Sequence, residues 1–276
     1  MIKTSKQLKD KVRNIAKSDS TKAQALIRNF IMERFLERIT LSPYKDNFIL
    51  KGGMLIAAIS GFDMRATMDI DTTVQALSLS MENARKIVED IIAIELPDGV
   101  TFQINKVSEI MEGHAYPGIR IVLAATLDRL KQIIKLDIST GDVITPGAVD
   151  FSYKLMFEER SISLWTYNLE TLLAEKLETI MSRGTANTRM RDFYDIHIIA
   201  RDKVIDEAVL GKAFLATCIK RKSDNQITDL ISILSEIEKS DMMKKDWENY
   251  RKANTFVGDA DWKTVLSGVM TLAEHI

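Results

Sequence analysis

The sequence predicts an α+β protein: a mixed sheet with flanking helices over residues 1–165, followed by a helical domain over 166–276. Three observations carry this expectation. Helical spacing of apolar residues fills the N-terminal stretch, strand-like runs then follow one another up to residue 140, and from Asn168 onward the spacing is helical again.

The elements follow in order. Residues 5–17 and 20–39 read as two helices, the second with Ala23, Ile27, Phe30, Ile31 and Phe35 near helical spacing and Ser20 as its cap. "NFIL" (47–50) is a short buried strand that runs into Gly52-Gly53, and "MLIAAI" suits a packed helix that Gly61 can end. "DIDTTVQ" is β-branched and alternating, hence a strand. An amphipathic helix over 81–94 stops before Pro97. Runs at 100–110, 118–126 and 131–140 read as three strands, with turn signals at Gly113 and Pro117-Gly118. Helices are then expected over 169–182, 190–201, 205–220 and 226–240, with one more near the C-terminus.

Composition narrows the function. The 276-residue chain is 46% hydrophobic and 28% charged, a folded rather than a disordered composition. A net charge of -1 excludes a uniformly basic nucleic-acid coat, so an RNA partner would need a local patch, such as the Lys-rich stretch near 220–245. Cys218 is the one cysteine, which excludes an internal disulfide and a thiolate metal cluster and fits a reducing cytoplasm. His114, His197 and His275 lie far apart, against a histidine-based zinc site. The N-terminus lacks the apolar core of a signal peptide, and no stretch reaches the roughly 18 apolar residues a membrane span needs. A cytoplasmic location without membrane contact is expected.

Asp69 and Asp71 project from one face of their strand, with Thr73 beside them and Ile70 on the other face. Two like charges this close repel unless a cation lies between them, and carboxylates suit Mg²⁺. In "IIKLDIST", Lys135, Asp137 and Ser139 share a face in the same way. If the two strands pair, three carboxylates converge on a metal site of the kind that serves phosphoryl or nucleotidyl transfer. Solvent-facing positions on half-exposed strands explain the same acids. Gly52-Gly53 lets backbone N–H groups approach a phosphate, or is a plain strand-to-helix turn.

Lys176 falls within or beside the apolar stripe of Leu169, Leu172, Leu173, Leu177 and Ile180, with no acid at helical pairing distance. It either snorkels outward or reaches a buried anion. Arg183, Arg189 and Arg191 then precede Asp192 and Asp195, a cluster that suits phosphate oxygens or, alternatively, an Arg191–Asp195 pair within one helix.

Together these stretches resemble the nucleotidyltransferase AbiEii/AbiGii toxin family of bacterial toxin–antitoxin and phage-defence systems. The matching features are Gly52-Gly53, "RATMDID" from Arg65 to Asp71, Glu175-Lys176 in "LLAEKLETI", and Asp192 with Asp195 in "RDFYD". They occur in family order over about residues 48–200. The departure is Met54, where the wider superfamily usually has Ser after the glycine.

The resemblance implies a nucleotidyltransferase-like sheet and Mg²⁺-dependent transfer of a nucleoside monophosphate from an NTP to an acceptor, most plausibly the 3′ end of tRNA. It also implies an antitoxin encoded in a neighbouring gene. Asp69 and Asp71 would bind metal, with Asp137 as a third ligand by superfamily analogy. Lys176 would contact phosphates, Asp192 or Asp195 would complete the pocket, and Gly52, Gly53, Arg65 and Arg191 would help hold the nucleotide. A small-molecule or protein hydroxyl as acceptor, or a non-catalytic NTP-binding module, is the alternative.

Overall fold

The computed structural model describes residues 1–61, 67–112 and 116–276, and the chain folds as two compact units. The first comprises Met1–Asp142 and Val149–Thr166, the second Val143–Ala148 and Tyr167–Ile276.

The first unit is built on seven strands: β1 (Phe48–Lys51), β2 (Asp69–Val74), β3 (Val100–Glu112), β4 (Tyr116–Leu127), β5 (Leu130–Thr140), β6 (Val149–Lys154) and β7 (Ser161–Thr166). They form one mixed sheet in the order β3-β4-β5-β2-β1-β7-β6. β2 is antiparallel to β1 and parallel to β5, so the aspartate strand sits between two partners distant in sequence. The hairpin of β6 and β7 was not expected. "VDFSYK" and "SISLWT" alternate as strands should, but weakly apolar runs at a sheet edge carry little periodic signal. Pro117-Gly118, expected as a turn, lies inside β4, and Gly113 lies outside the described residues.

Among the described residues this unit has four helices: α1 (Ser5–Ala16), α2 (Ser20–Leu41), α3 (Gly52–Ser60) and α4 (Met81–Ile92). α2 is capped by Asp19 rather than Ser20, because the carboxylate accepts the Lys22 N–H at 2.9 Å and suits the helix dipole. α4 buries Ala84, Ile87, Val88 and Ile91, one stripe at helical spacing, as predicted. Ile134, Leu136 and Ile138 of β5 are buried as alternation predicts, but Asp137 between them is buried too, so the expected open position is closed. Thr73, expected on the open face with the aspartates, is buried, and its hydroxyl donates to the Ser139 carbonyl at 3.3 Å.

The middle of α2 is buried on all sides, charges included. Arg34 pairs with Glu37 and Glu158, each at 3.0 Å, and Arg160 bridges the same two acids. Arg38 grips Asp98 through two guanidinium nitrogens, at 2.8 and 3.1 Å. Glu33 accepts the Met156 N–H at 3.0 Å, and its burial outweighs the neighbouring Arg34 and pushes its pKa from 4.5 up to about 8. A raised carboxyl pKa favours the fold fully below the unfolded value and loses that contribution as pH rises through the folded one. Glu33→Gln keeps the acceptor and carries no charge. Its Tm is therefore expected to match the parent near pH 5 and exceed it at about pH 8.5, as thermal melts at the two pH values would show.

The second unit is helical: α5 (Leu169–Arg183), α6 (Met190–Asp202), α7 (Glu207–Arg221), α8 (Leu230–Lys239), α9 (Asp241–Ala253) and α10 (Trp262–Ala273). Two helices, α9 and α10, stand where one was expected near the C-terminus. Asp261 caps α10, accepting the Thr264 N–H at 2.7 Å. Leu172, Leu173 and Leu177 of α5, Phe193 of α6, Phe214 of α7 and Trp247 of α9 are buried in this unit. The Trp247 indole N–H donates to the Ala260 carbonyl at 3.1 Å, so its polar edge is satisfied.

Candidate active site

Four neighbouring strands place one charged residue each in a single transverse row. The register pairs Arg120 of β4 with Asp137 of β5, Asp137 with Asp71 of β2, and Asp71 with Lys51 of β1. The signs run plus, minus, minus, plus. The pairing of β2 with β5 that the sequence posed as a condition is thus present. Asp69 and Lys135 form the next row, 3.8 Å apart.

Each carboxylate is held differently. Arg120 binds Asp137 bidentately, Nε to Oδ1 at 2.7 Å and Nη2 to Oδ2 at 2.6 Å. Asp71 Oδ2 accepts the Gly53 N–H at 3.4 Å. Asp69 Oδ1 is buried and makes no hydrogen bond among the described residues. Lys51 reaches Asp142 at 2.6 Å, and Ser139 donates to the same Asp142 oxygen at 2.7 Å. Lys51, Asp71, Asp137 and Ser139 line a small pocket with Ile110 and Gly118. Its volume of about 30 Å³ admits an ion or a water but not a nucleotide.

The Gly-Gly pair explains the turn. Gly52 adopts φ +65°, a left-handed conformation, and opens α3 directly after β1. A Cβ at Gly52 would overlap the Asp71 carboxylate and come within 2.8 Å of Asp71 Cβ. Gly52→Ala is therefore expected to cost roughly 1–3 kcal/mol in urea unfolding and to displace Asp71. Met54 is fully buried, so the position that carries a hydroxyl in the superfamily packs core here. Arg65 lies outside the described residues.

Hard oxygen donors on one face fit a divalent cation, and the unsatisfied Asp69 Oδ1 favours one. Asp69 and Asp71 are the residues that could hold it. Asp137 is in position but its two oxygens are engaged by Arg120. Consistent with that, no group of three His, Cys, Asp or Glu among the described residues is gathered closely enough to hold a metal ion.

In the helical unit Lys176 resolves to the second of its two readings: it reaches buried anions. Its ammonium lies 2.6 Å from Asp192 Oδ1 and 2.8 Å from Asp195 Oδ2, both residues nearly fully buried. The i,i+3 spacing puts both aspartates on one face of α6. Arg189 adds a contact to Asp192 at 3.0 Å. Burial works against the Asp192 charge, but Lys176 and Arg189 outweigh it, so its pKa is lowered. Asp195 thus pairs across helices with Lys176, while Arg191 is exposed on α6. A larger cavity of about 400 Å³ in this unit, lined by His197, Arg201, Thr264 and His275, includes none of the predicted site residues.

Arg120, Lys51, Ser139 and Asp142 were missed as site residues. Arg120 sits between Ile119 and Ile121, and Lys51 directly precedes the glycines. Alternation marks them as polar-face positions, but only the sheet register aligns them with the acids.

The model of the family "Nucleotidyl transferase AbiEii toxin, Type IV TA system" matches residues 34–267. Two solved structures from Helicobacter pylori, JHP933 and a candidate nucleotidyltransferase, are similar in fold, each at TM-score 0.54 and 17% identity. Each match covers 91% of this chain, and 90% and 93% of the respective partner. No curated protein matches the chain.

Proposed function

Since the chain belongs to the AbiEii nucleotidyltransferase toxin family of type IV toxin–antitoxin systems, we propose that it transfers a nucleoside monophosphate from an NTP to the 3′ end of tRNA with Mg²⁺. The observation that carries this reading is the carboxylate row: Asp69 and Asp71 on one face, with Asp137 in register beside Asp71.

Asp69 and Asp71 would hold the metal, joined by Asp137 when Arg120 lets go. When bound, a divalent ion lowers the charge on the α-phosphate and favours ionisation of the acceptor hydroxyl. Gly52 and Gly53 let the backbone at the start of α3 approach phosphate oxygens without a side chain in the way. In the transfer, the acceptor oxygen bonds the α-phosphorus and loses its proton, the bond to the bridging oxygen breaks, and pyrophosphate leaves. Within the helical unit Lys176 is held by Asp192 and Asp195, and the family resemblance gives these three residues a nucleotide-contacting role. Arg191, exposed on α6, is a second cation for the same purpose.

The family pairs each toxin with an antitoxin, and a regulator encoded next to this gene is the expected partner. No helix among the described residues is long and apolar enough to cross a membrane. The near-neutral charge of -1 favours a small-molecule or protein hydroxyl as the alternative acceptor.

The test is incubation of the protein with each α-labelled NTP, Mg²⁺ and total tRNA. Label on tRNA with one NTP preferred is the expected result. Label only on protein or on small products moves the acceptor, and no label anywhere overturns the reading.

A further inference from the structure

We infer that Arg120 is a placeholder cation for Asp137: it saturates this carboxylate while the site holds no metal and releases it when a metal–nucleotide binds. The inference rests on the proposed reading of Asp69, Asp71 and Asp137 as metal ligands.

Two features together make this ion pair exchangeable; Arg160, 38% exposed and forked onto the buried Glu37, shares the first but not the second. The Asp137 side chain is 9% exposed, so its charge needs a partner, whereas the Arg120 side chain remains 32% exposed. The guanidinium thus covers the carboxylate from the open side of the sheet. Arg38, which also binds its aspartate bidentately, is 3% exposed against a fully buried Asp98, and Arg34 is 1% exposed. Those arginines are enclosed with their partners and have nowhere to go.

The second feature is what the fork occupies. Both Asp137 oxygens accept from Arg120, so each already shares its charge with a guanidinium N–H rather than with a cation beside Asp71, its register neighbour. Asp69, by contrast, has among the described residues Lys135 at 3.8 Å and a buried oxygen without a hydrogen bond. The site therefore holds Asp69 with an oxygen open to a cation and Asp137 with both oxygens engaged.

Arg120 cannot lose its charge on release, because guanidinium stays protonated throughout the working pH range. Once displaced it is a cation beside an incoming triphosphate, with donors matched to phosphate oxygens. Divalent-metal binding should then be weak alone and stronger with nucleotide, by reciprocal linkage. Arg120 acts here as a positioning residue, through Asp137.

The test is titration of the full-length protein with Mn²⁺ alone, without nucleotide, reading unbound Mn²⁺ by EPR. Arg120→Gln is expected to bind Mn²⁺ about tenfold more tightly than the parent, with Arg120→Lys in between, since a lysine keeps charge but not the fork. The gain should vanish in Arg120→Gln/Asp137→Asn. A gain that persists there reflects a general change of field and overturns the inference, as does unchanged or weaker binding in Arg120→Gln. If Arg120→Gln fails to fold by circular dichroism, Arg120→Lys decides, and parental affinity in that variant overturns the idea. Asp69→Asn separates the two readings: should it leave Mn²⁺ binding intact, the metal assignment fails; should it abolish binding while Arg120 variants change nothing, only the placeholder role fails.

Discussion

Asp71→Asn is expected to lower nucleotidyl transfer on the order of a thousandfold or more while the fold stays intact. Asp71 stands between Asp137 and Lys51 in the transverse row and receives the Gly53 N–H, so it joins the acidic pair to the turn that opens α3. Asparagine has nearly the same shape and keeps an acceptor for Gly53, but it removes the charge that a divalent ion requires. The side-chain shape is kept, so the melt serves as the control that the fold is retained. Single-turnover transfer with saturating NTP, set beside a thermal melt, reads both quantities. Activity within tenfold of the parent would remove Asp71 from the metal site.

Lys176→Met should produce the largest loss of stability. The ammonium neutralises two nearly fully buried aspartates, and deleting one partner of a buried ion pair typically costs about 3–5 kcal/mol. For a chain of this size that corresponds to a fall in Tm of roughly 10 °C. The pH dependence gives a second check. The Asp192 pKa is lowered in the fold, so its contribution is present above its ordinary value of 3.8 and is lost as pH falls below it. In Lys176→Met that contribution shrinks, because a buried Asp192 deprived of its nearest cation is held less firmly in its charged form. The gap between variant and parent should therefore narrow toward about pH 4, and Asp192→Asn with Asp195→Asn should restore stability at neutral pH. If the triple variant is folded yet fails to transfer, the Lys176–Asp192–Asp195 cluster as a whole has a task beyond holding the helices together.

The family and the acidic residues were legible because their signals are local. A strand repeats every two residues, so D-x-D and K-x-D-x-S each declare one face without any knowledge of neighbours. Gly52-Gly53 likewise follows from a turn that excludes a Cβ, which the contact with Asp71 explains. The charged centre of α2 was not legible. Glu33, Arg34, Glu37 and Arg38 look like a solvated face in the sequence, and their partners Asp98, Glu158 and Arg160 lie far along the chain.

By itself, then, the sequence determined the α+β class, the order of most elements, and the residue types that make transfer chemistry possible, because periodicity and motif spacing are properties of neighbouring residues. Tertiary structure decided which charges meet. Register between β2 and β5, some 65 residues apart, set Asp71 beside Asp137 and brought Arg120 onto it from β4. The packing of α5 on α6 likewise turned Lys176 from an unplaced cation into the centre of a buried triad. Pairings of this kind are long-range electrostatic choices made when the chain collapses, and no local pattern records them.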